Sequence, residues 1–136
     1  MRGVLCAVTV IAASPVFADD KTAVRELSLK GVRVVAVEDF GFPKDIEIGT
    51  AGQLQDSPLF EDAPSRDAIA KQVNFDREKL VVFAWTGSVN DRLTPEPIST
   101  KKKLTAVFVY TAGKTTARCR HALVFAVPKD TIVEVK

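Results

Sequence analysis

The chain has 136 residues, of which 19 are basic, 17 are acidic and 46% are hydrophobic, and its formal net charge is +2. That length suits one small domain, and so even a balance lacks the concentrated positive field that nucleic-acid binding needs. With one histidine, and Cys119 the one cysteine beyond residue 18, a zinc site falls short of its three or four ligands unless acids complete it, and no such spacing appears.

Residues 1–18, MRGVLCAVTVIAASPVFA, hold one charge (Arg2), an apolar run from Val4 to Ala13, a break at Pro15, and the small residues Val16 and Ala18 shortly before Asp19. This is the layout of a secretory signal peptide cleaved after Ala18. The rival reading, a short membrane anchor, has an apolar run too short to cross a bilayer comfortably. Cys6 has almost no apolar segment before it and is read as incidental. Cleavage would remove one of the 19 basic residues and none of the 17 acidic ones, leaving a net charge of +1. The expectation is a single domain over 19–136, periplasmic or secreted, with no membrane segment and no nucleic-acid partner. Only Cys119 survives processing, so no disulfide can form within the mature chain, although exported small domains commonly rely on them. The fold must rest on its apolar core. The thiol could pair between chains or, on the blander reading, sit as a small buried hydrophobe.

Residues 19–24 read as a frayed start. Val32, Val34, Val35 and Val37, bounded by Gly31 and the Gly41-Phe42-Pro43 turn, predict a strand. Thr50 and Gln53 have capping-box spacing and open a short helix over 51–56, stopped by Pro58. Asp62 caps a second helix, Pro64 fits its first turn, and Ala68, Ile69 and Val73 space one apolar side, with an end near Gln72. Asn74 and Asp76 favour a turn. Leu80 to Trp85 is apolar on both alternating faces, the pattern of a central strand covered on both sides, ended by Thr86-Gly87-Ser88. Arg92-Leu93 begins a strand that Pro95 and Pro97 keep short or at an edge. Lys101-Lys102-Lys103 reads as a solvated turn. Leu104 to Tyr110, a hairpin loop over 111–116 containing Gly113, and a return strand from Arg118 to Val127 follow. Pro128-Lys129-Asp130 then turns into a last strand, Thr131 to Val135. There is no internal repeat. The sum is an α+β domain with a mainly antiparallel curled sheet, barrel or sandwich, of about five or six strands with one or two short helices.

Candidate functional residues gather at the exit of the central strand and the start of the return strand. Trp85 could stack on a ligand, or plug the core with its indole N–H bonded. Gly87, Ser88, Asn90 and Asp91 form a polar loop directly after a buried strand, where functional groups often sit; a turn chosen for geometry alone would look similar. Alternation puts Arg118 and Arg120 on one face, as an anion grip or as partners of carboxylates such as Asp91. Cys119 and His121 share the other face with Leu123, Phe125 and Val127, which favours a satisfied, partly buried histidine. Two residues apart on one strand, that Cys–His pair stands near the limit of the contact a nucleophile needs. Asp39, Asp45, Glu47 and Asp91 are available as an acid pair for glycoside hydrolysis, but nothing singles out two of them. There is no phosphate loop and no nucleophile elbow, and no cofactor or metal is indicated.

The run VNFDREKLVVFAWTG (73–87) and the closing HALVFAVPKDTIVEV (121–135) resemble small exported bacterial proteins of unknown function. More distantly they resemble the C-terminal domain of the protease-complex subunit PrcB, with Asn74-Phe75 where that pattern has Asp-Phe. The resemblance implies a non-enzymatic accessory that binds or steadies another exported protein, for example a protease. The expected face carries Trp85, Gly87, Asp91, Arg118, Arg120 and His121, or uses an edge strand. The alternative is a small hydrolase or lyase using His121 with Asp91 or Glu38.

Overall fold

A computed structural model describes residues 24–35, 43–96, 98 and 104–136. The signal peptide expected over 1–18, Val37, Glu38, Asp39, Pro97 and the 101–103 basic run lie outside the described residues. In chain order the elements are β1 (Arg25–Glu26), β2 (Asp45–Ile48), α1 (Ala51–Gln55), α2 (Ala63–Ala70), β3 (Glu78–Ser88), β4 (Arg92–Pro95), β5 (Thr105–Thr111), β6 (Arg118–Pro128) and β7 (Ile132–Val135). They form a four-stranded sheet, β1-β6-β3-β2, and a three-stranded sheet, β4-β5-β7. All pairings are antiparallel except β5 with β7. This is the expected α+β architecture with a sandwich of two sheets.

The two-faced apolar pattern of β3 accounts for the layering. β3 lies between β2 and β6 and pairs with β6 along its whole length, from Glu78↔Pro128 to Ser88↔Arg118. Leu80, Val82, Val124 and Ala126 point to one side, where Leu54 of α1, Ile69 of α2, Phe60, Leu27 and Ile48 cover them. Val81, Phe83, Trp85, Phe125 and Val127 point to the other, against Leu93, Ala106 and Phe108 of the second sheet. Three phenylalanines knit the sheets together: Phe108 lies 4.9 Å from both Phe83 and Phe125, ring centre to ring centre. A core strand sealed on both sides is therefore a near-continuous hydrophobic run rather than an alternating one.

The helices start where their caps dictate. Thr50 accepts the Gln53 amide at 3.1 Å, and the Gln53 side chain accepts the Gly49 amide at 2.7 Å. Asp62 accepts the Ser65 amide at 2.9 Å, Pro64 sits in the first turn, and α2 stops at Ala70 with Lys71 as its cap.

Three expectations change. Residues 32–35 are not a strand: Gly31 takes a left-handed turn at φ 75°, and the only pairing among the described residues is a bridge from Val34 to Phe60. Val32 and Val34 satisfy their β-branched bulk by packing on the helix-side core as a loop. The 111–116 segment is not a hairpin loop, because β5 and β6 belong to different sheets. The last strand, expected within a mainly antiparallel sheet, pairs in parallel with β5. Each short connection from β3, β5 and β6 crosses between the sheets, because both β3 and β6 need cover on the Phe83–Phe125 side.

A further regularity emerges. β3 and β6 each run for 11 residues, each is followed by a corner (89–91 and 129–131), and each continues as a four-residue strand of the other sheet. In both corners the last residue, Asp91 or Thr131, is buried. Its amide donates to the carbonyl of the strand's final residue, Ser88 or Pro128, at 3.0 Å in each case.

Candidate functional site

The first corner is built around a carboxylate. Asp91 Oδ2 accepts from the Trp85 indole at 3.2 Å and from the Tyr110 hydroxyl at 3.0 Å, and Oδ1 accepts from the Gly113 amide at 2.7 Å. Three elements therefore converge on one side chain: β3 through Trp85, β5 through Tyr110, and the loop leading to β6 through Gly113. Two glycines make room for it. A Cβ at Gly87 would stand 2.0 Å from Asp91 Oδ2, and one at Gly113 would meet Ser88 Oγ at 2.6 Å and the Asn90 backbone carbon at 2.7 Å. Any larger residue would have to displace a pinned carboxylate or the corner backbone itself.

The electrostatics follow from the bonding. Burial alone would push the Asp91 pKa up, but the Gly113, Trp85 and Tyr110 hydrogen bonds and the nearby His121 outweigh it and hold the carboxyl below its ordinary 3.8. Burial, and then the bond to Asp91, push the Tyr110 hydroxyl above its ordinary 10.0. The carboxylate stays ionised and the phenol stays protonated, each stabilising the other's form.

Trp85 and His121 are direct cross-strand neighbours, and their rings stack 4.7 Å apart at 16°. Tyr110 meets the indole edge-on at 6.3 Å. His121 Nε2 lies 2.7 Å from Ser88 O. A carbonyl only accepts, so Nε2 carries the proton. Cys119 Sγ sits 3.3 Å from that same Nε2 and 4.0 Å from Nδ1. The two side chains do touch, more closely than the spacing alone suggests. The nitrogen nearest the sulfur is nevertheless already protonated and cannot take the thiol proton. Cys119 is partly buried and free, and no group of three or more His, Cys, Asp or Glu side chains suited to a metal exists among the described residues.

Of the sequence-selected residues, Trp85, Gly87, Asp91 and His121 thus come together on the side of the four-stranded sheet that faces β4 and β5. Trp85, Gly87 and Asp91 are buried and His121 is partly so. Arg118 and Arg120 lie on the same strand as His121 but on its opposite face, both exposed. Sequence reading missed Tyr110 and Gly113 as members of the cluster. Tyr110 carries the one signal available, being the single tyrosine, at a strand end, with a hydroxyl that must find a partner.

Two clefts flank the stack. One, of about 220 Å³, lies on the helix side; its walls include Val32, Val34 and Arg120, and Ala84 faces Ala122 across its floor. The other, of about 260 Å³, opens between Arg92–Thr94 of β4 and His121–Leu123 of β6, with Trp85 and Asp91 behind. A larger cavity, about 590 Å³, is elsewhere, at the second corner, bordered by Arg77, Leu104, Pro128 and Asp130. Within it Arg25 grips Glu78 with contacts of 2.8 to 3.2 Å, and no sequence-selected residue lines it.

No family model matches the chain, and neither a curated protein nor a solved structure is significantly similar to it.

Proposed function

We propose that this chain is an exported, non-enzymatic binding module that contacts another envelope or secreted protein. The observation that carries the reading is the rigid Asp91 corner, which holds the Trp85–His121 stack between two clefts beside the exposed Arg120. Such a site has fixed walls and groups of both polarities, as a recognition surface needs. On the sequence resemblance of 73–87 and 121–135 to the C-terminal domain of PrcB, the partner proposed is a protease or a comparable exported protein.

The hydrolase or lyase alternative asks His121 and Asp91 to act together. Here the Nε2 proton is given to Ser88 O, and both Asp91 oxygens accept bonds from the fold itself. In an acid–imidazole pair the carboxylate accepts the imidazole N–H, and here each of the two groups is committed to another partner. The test is photo-crosslinking in intact producing cells, with benzoylphenylalanine replacing Arg92, Arg120 or, as a control, Gln55 on α1. Adducts of one defined mass from the first two positions, in the exported fraction, are expected. Adducts from none of the three would remove the proposal.

A further inference from the structure

β1 covers only one end of β6. Arg25 pairs with Ala126, Glu26 pairs with Phe125, and the Leu27 amide donates to Val124 O at 2.8 Å. From Cys119 to Leu123 the outer edge of β6 has no strand neighbour among the described residues. Because Val124 turns its carbonyl outward, strand alternation also turns the N–H and C=O of Ala122 and Arg120 outward, while Cys119, His121 and Leu123 present theirs to β3.

The two clefts lie on opposite faces of this open edge. The helix-side cleft holds Val32, Val34 and Arg120, the other holds Leu93 and Leu123, and Trp85, His121 and Ala122 border both. A strand laid along β6 sends successive side chains to opposite faces, so one row of its side chains would enter each cleft. The helix-side row meets Arg120, and Arg118 shares that face. Arg120 is exposed and forms no ion pair among the described residues. Antiparallel pairing with a second copy of β6 would put two such arginine rows on one face, and like charges there oppose it. Carboxylates would be attracted to the same row.

We infer that the partner presents an extended segment of alternating acidic and apolar residues, which adds as a strand to the outer edge of β6 at Arg120–Ala122. Its carboxylates lie along Arg118 and Arg120, and its apolar side chains enter the cleft beside Leu93 and Leu123. Backbone hydrogen bonds supply affinity and the alternate rows supply specificity. The inference rests on the binding-module reading and gives it a partner chemistry.

The test uses the signal-cleaved chain and a short acetylated peptide of alternating glutamate and valine. Controls are the same peptide with lysine for glutamate and a version N-methylated on alternate amides. The Glu–Val peptide should slow hydrogen exchange at the Arg120 and Ala122 amides about tenfold or more and shift the emission of Trp85. Arg120→Glu should weaken that peptide about tenfold and turn the preference toward the Lys–Val peptide. No binding at millimolar peptide, equal binding of the three peptides, or protection at another edge would overturn the inference. Strand addition without any cellular adduct from position 120 would leave the edge site standing and sink the module reading. Adducts from positions 92 and 120 without strand addition would do the reverse.

Discussion

After Ser88 the chain turns into the second sheet over Val89, Asn90 and Asp91; after Pro128 it does so over Lys129, Asp130 and Thr131. Both turns are closed by the same amide-to-carbonyl bond of 3.0 Å, and both bury their third residue. The side chains differ. Asp91 takes three donors, whereas the Thr131 hydroxyl is buried with no partner among the described residues. Where the first arm has Gly87 under the carboxylate, the second has buried Val127; where the first has Trp85, the second has Phe125. The second arm shows that turning this corner requires no acid. The carboxylate of the first arm is therefore there for what it holds: an indole, a phenol and the loop that leads into β6.

That contrast can be broken most severely at Asp91 itself. Asp91→Ala leaves the indole, the phenol and the Gly113 amide facing a buried hole, and a loss of about 3–5 kcal/mol in urea unfolding is expected. Trp85, the single tryptophan, should shift its emission to the red. A loss below about 1 kcal/mol would mean that the corner holds without its acid.

A smaller effect is expected from acid. The folded-state pKa of Asp91 is depressed, so its contribution is complete above the ordinary value of 3.8 and is lost as pH falls from there through the lower folded value. Acid titration of stability should show this fall in the native chain and a flatter profile in Asp91→Asn. On the alkaline side, Tyr110 is raised. Its contribution is held below 10.0 and lost as pH rises through the raised value.

The smallest effect should come from the second corner, with the opposite sign. Thr131→Val replaces an unpartnered buried hydroxyl by a methyl group of similar shape, and a gain of about 0.5–1 kcal/mol is expected. Destabilisation in the same urea assay would show that the hydroxyl is satisfied and that the two corners are alike.

Much of this was legible in the residues. Leu80–Trp85 announces a strand buried on both faces, and Thr50 and Asp62 announce their helices, because these signals are local. The sheet exchange was not legible, since short connections such as 111–117 look like hairpin loops until Phe108 is seen bridging Phe83 and Phe125. β1 and β2 were missed because two or four residues with alternating charge carry little pattern. At the site, the polar loop after β3 pointed to Asp91, but nothing local could show that Tyr110 and Gly113 reach it. Those bonds join residues 19 and 22 positions apart through the sandwich. The similar arms were also invisible, since they share backbone path and burial rather than residue identity.

The parallel pairing of β5 with β7 has a consequence for the order of assembly. The Lys136 amide donates to Phe108 O at 2.9 Å, and the Tyr110 amide donates to Lys136 O at 2.8 Å. A chain emerging N-terminus first can lay β6 on β3 and still lack the second neighbour of β5. The smaller sheet gains its third member only when residues 132–136 arrive, so closure waits on a long-range pairing, the slow kind of step in β-rich domains. Until then Phe108 and Tyr110 stand on an unfinished strand, and a chaperone would find them there.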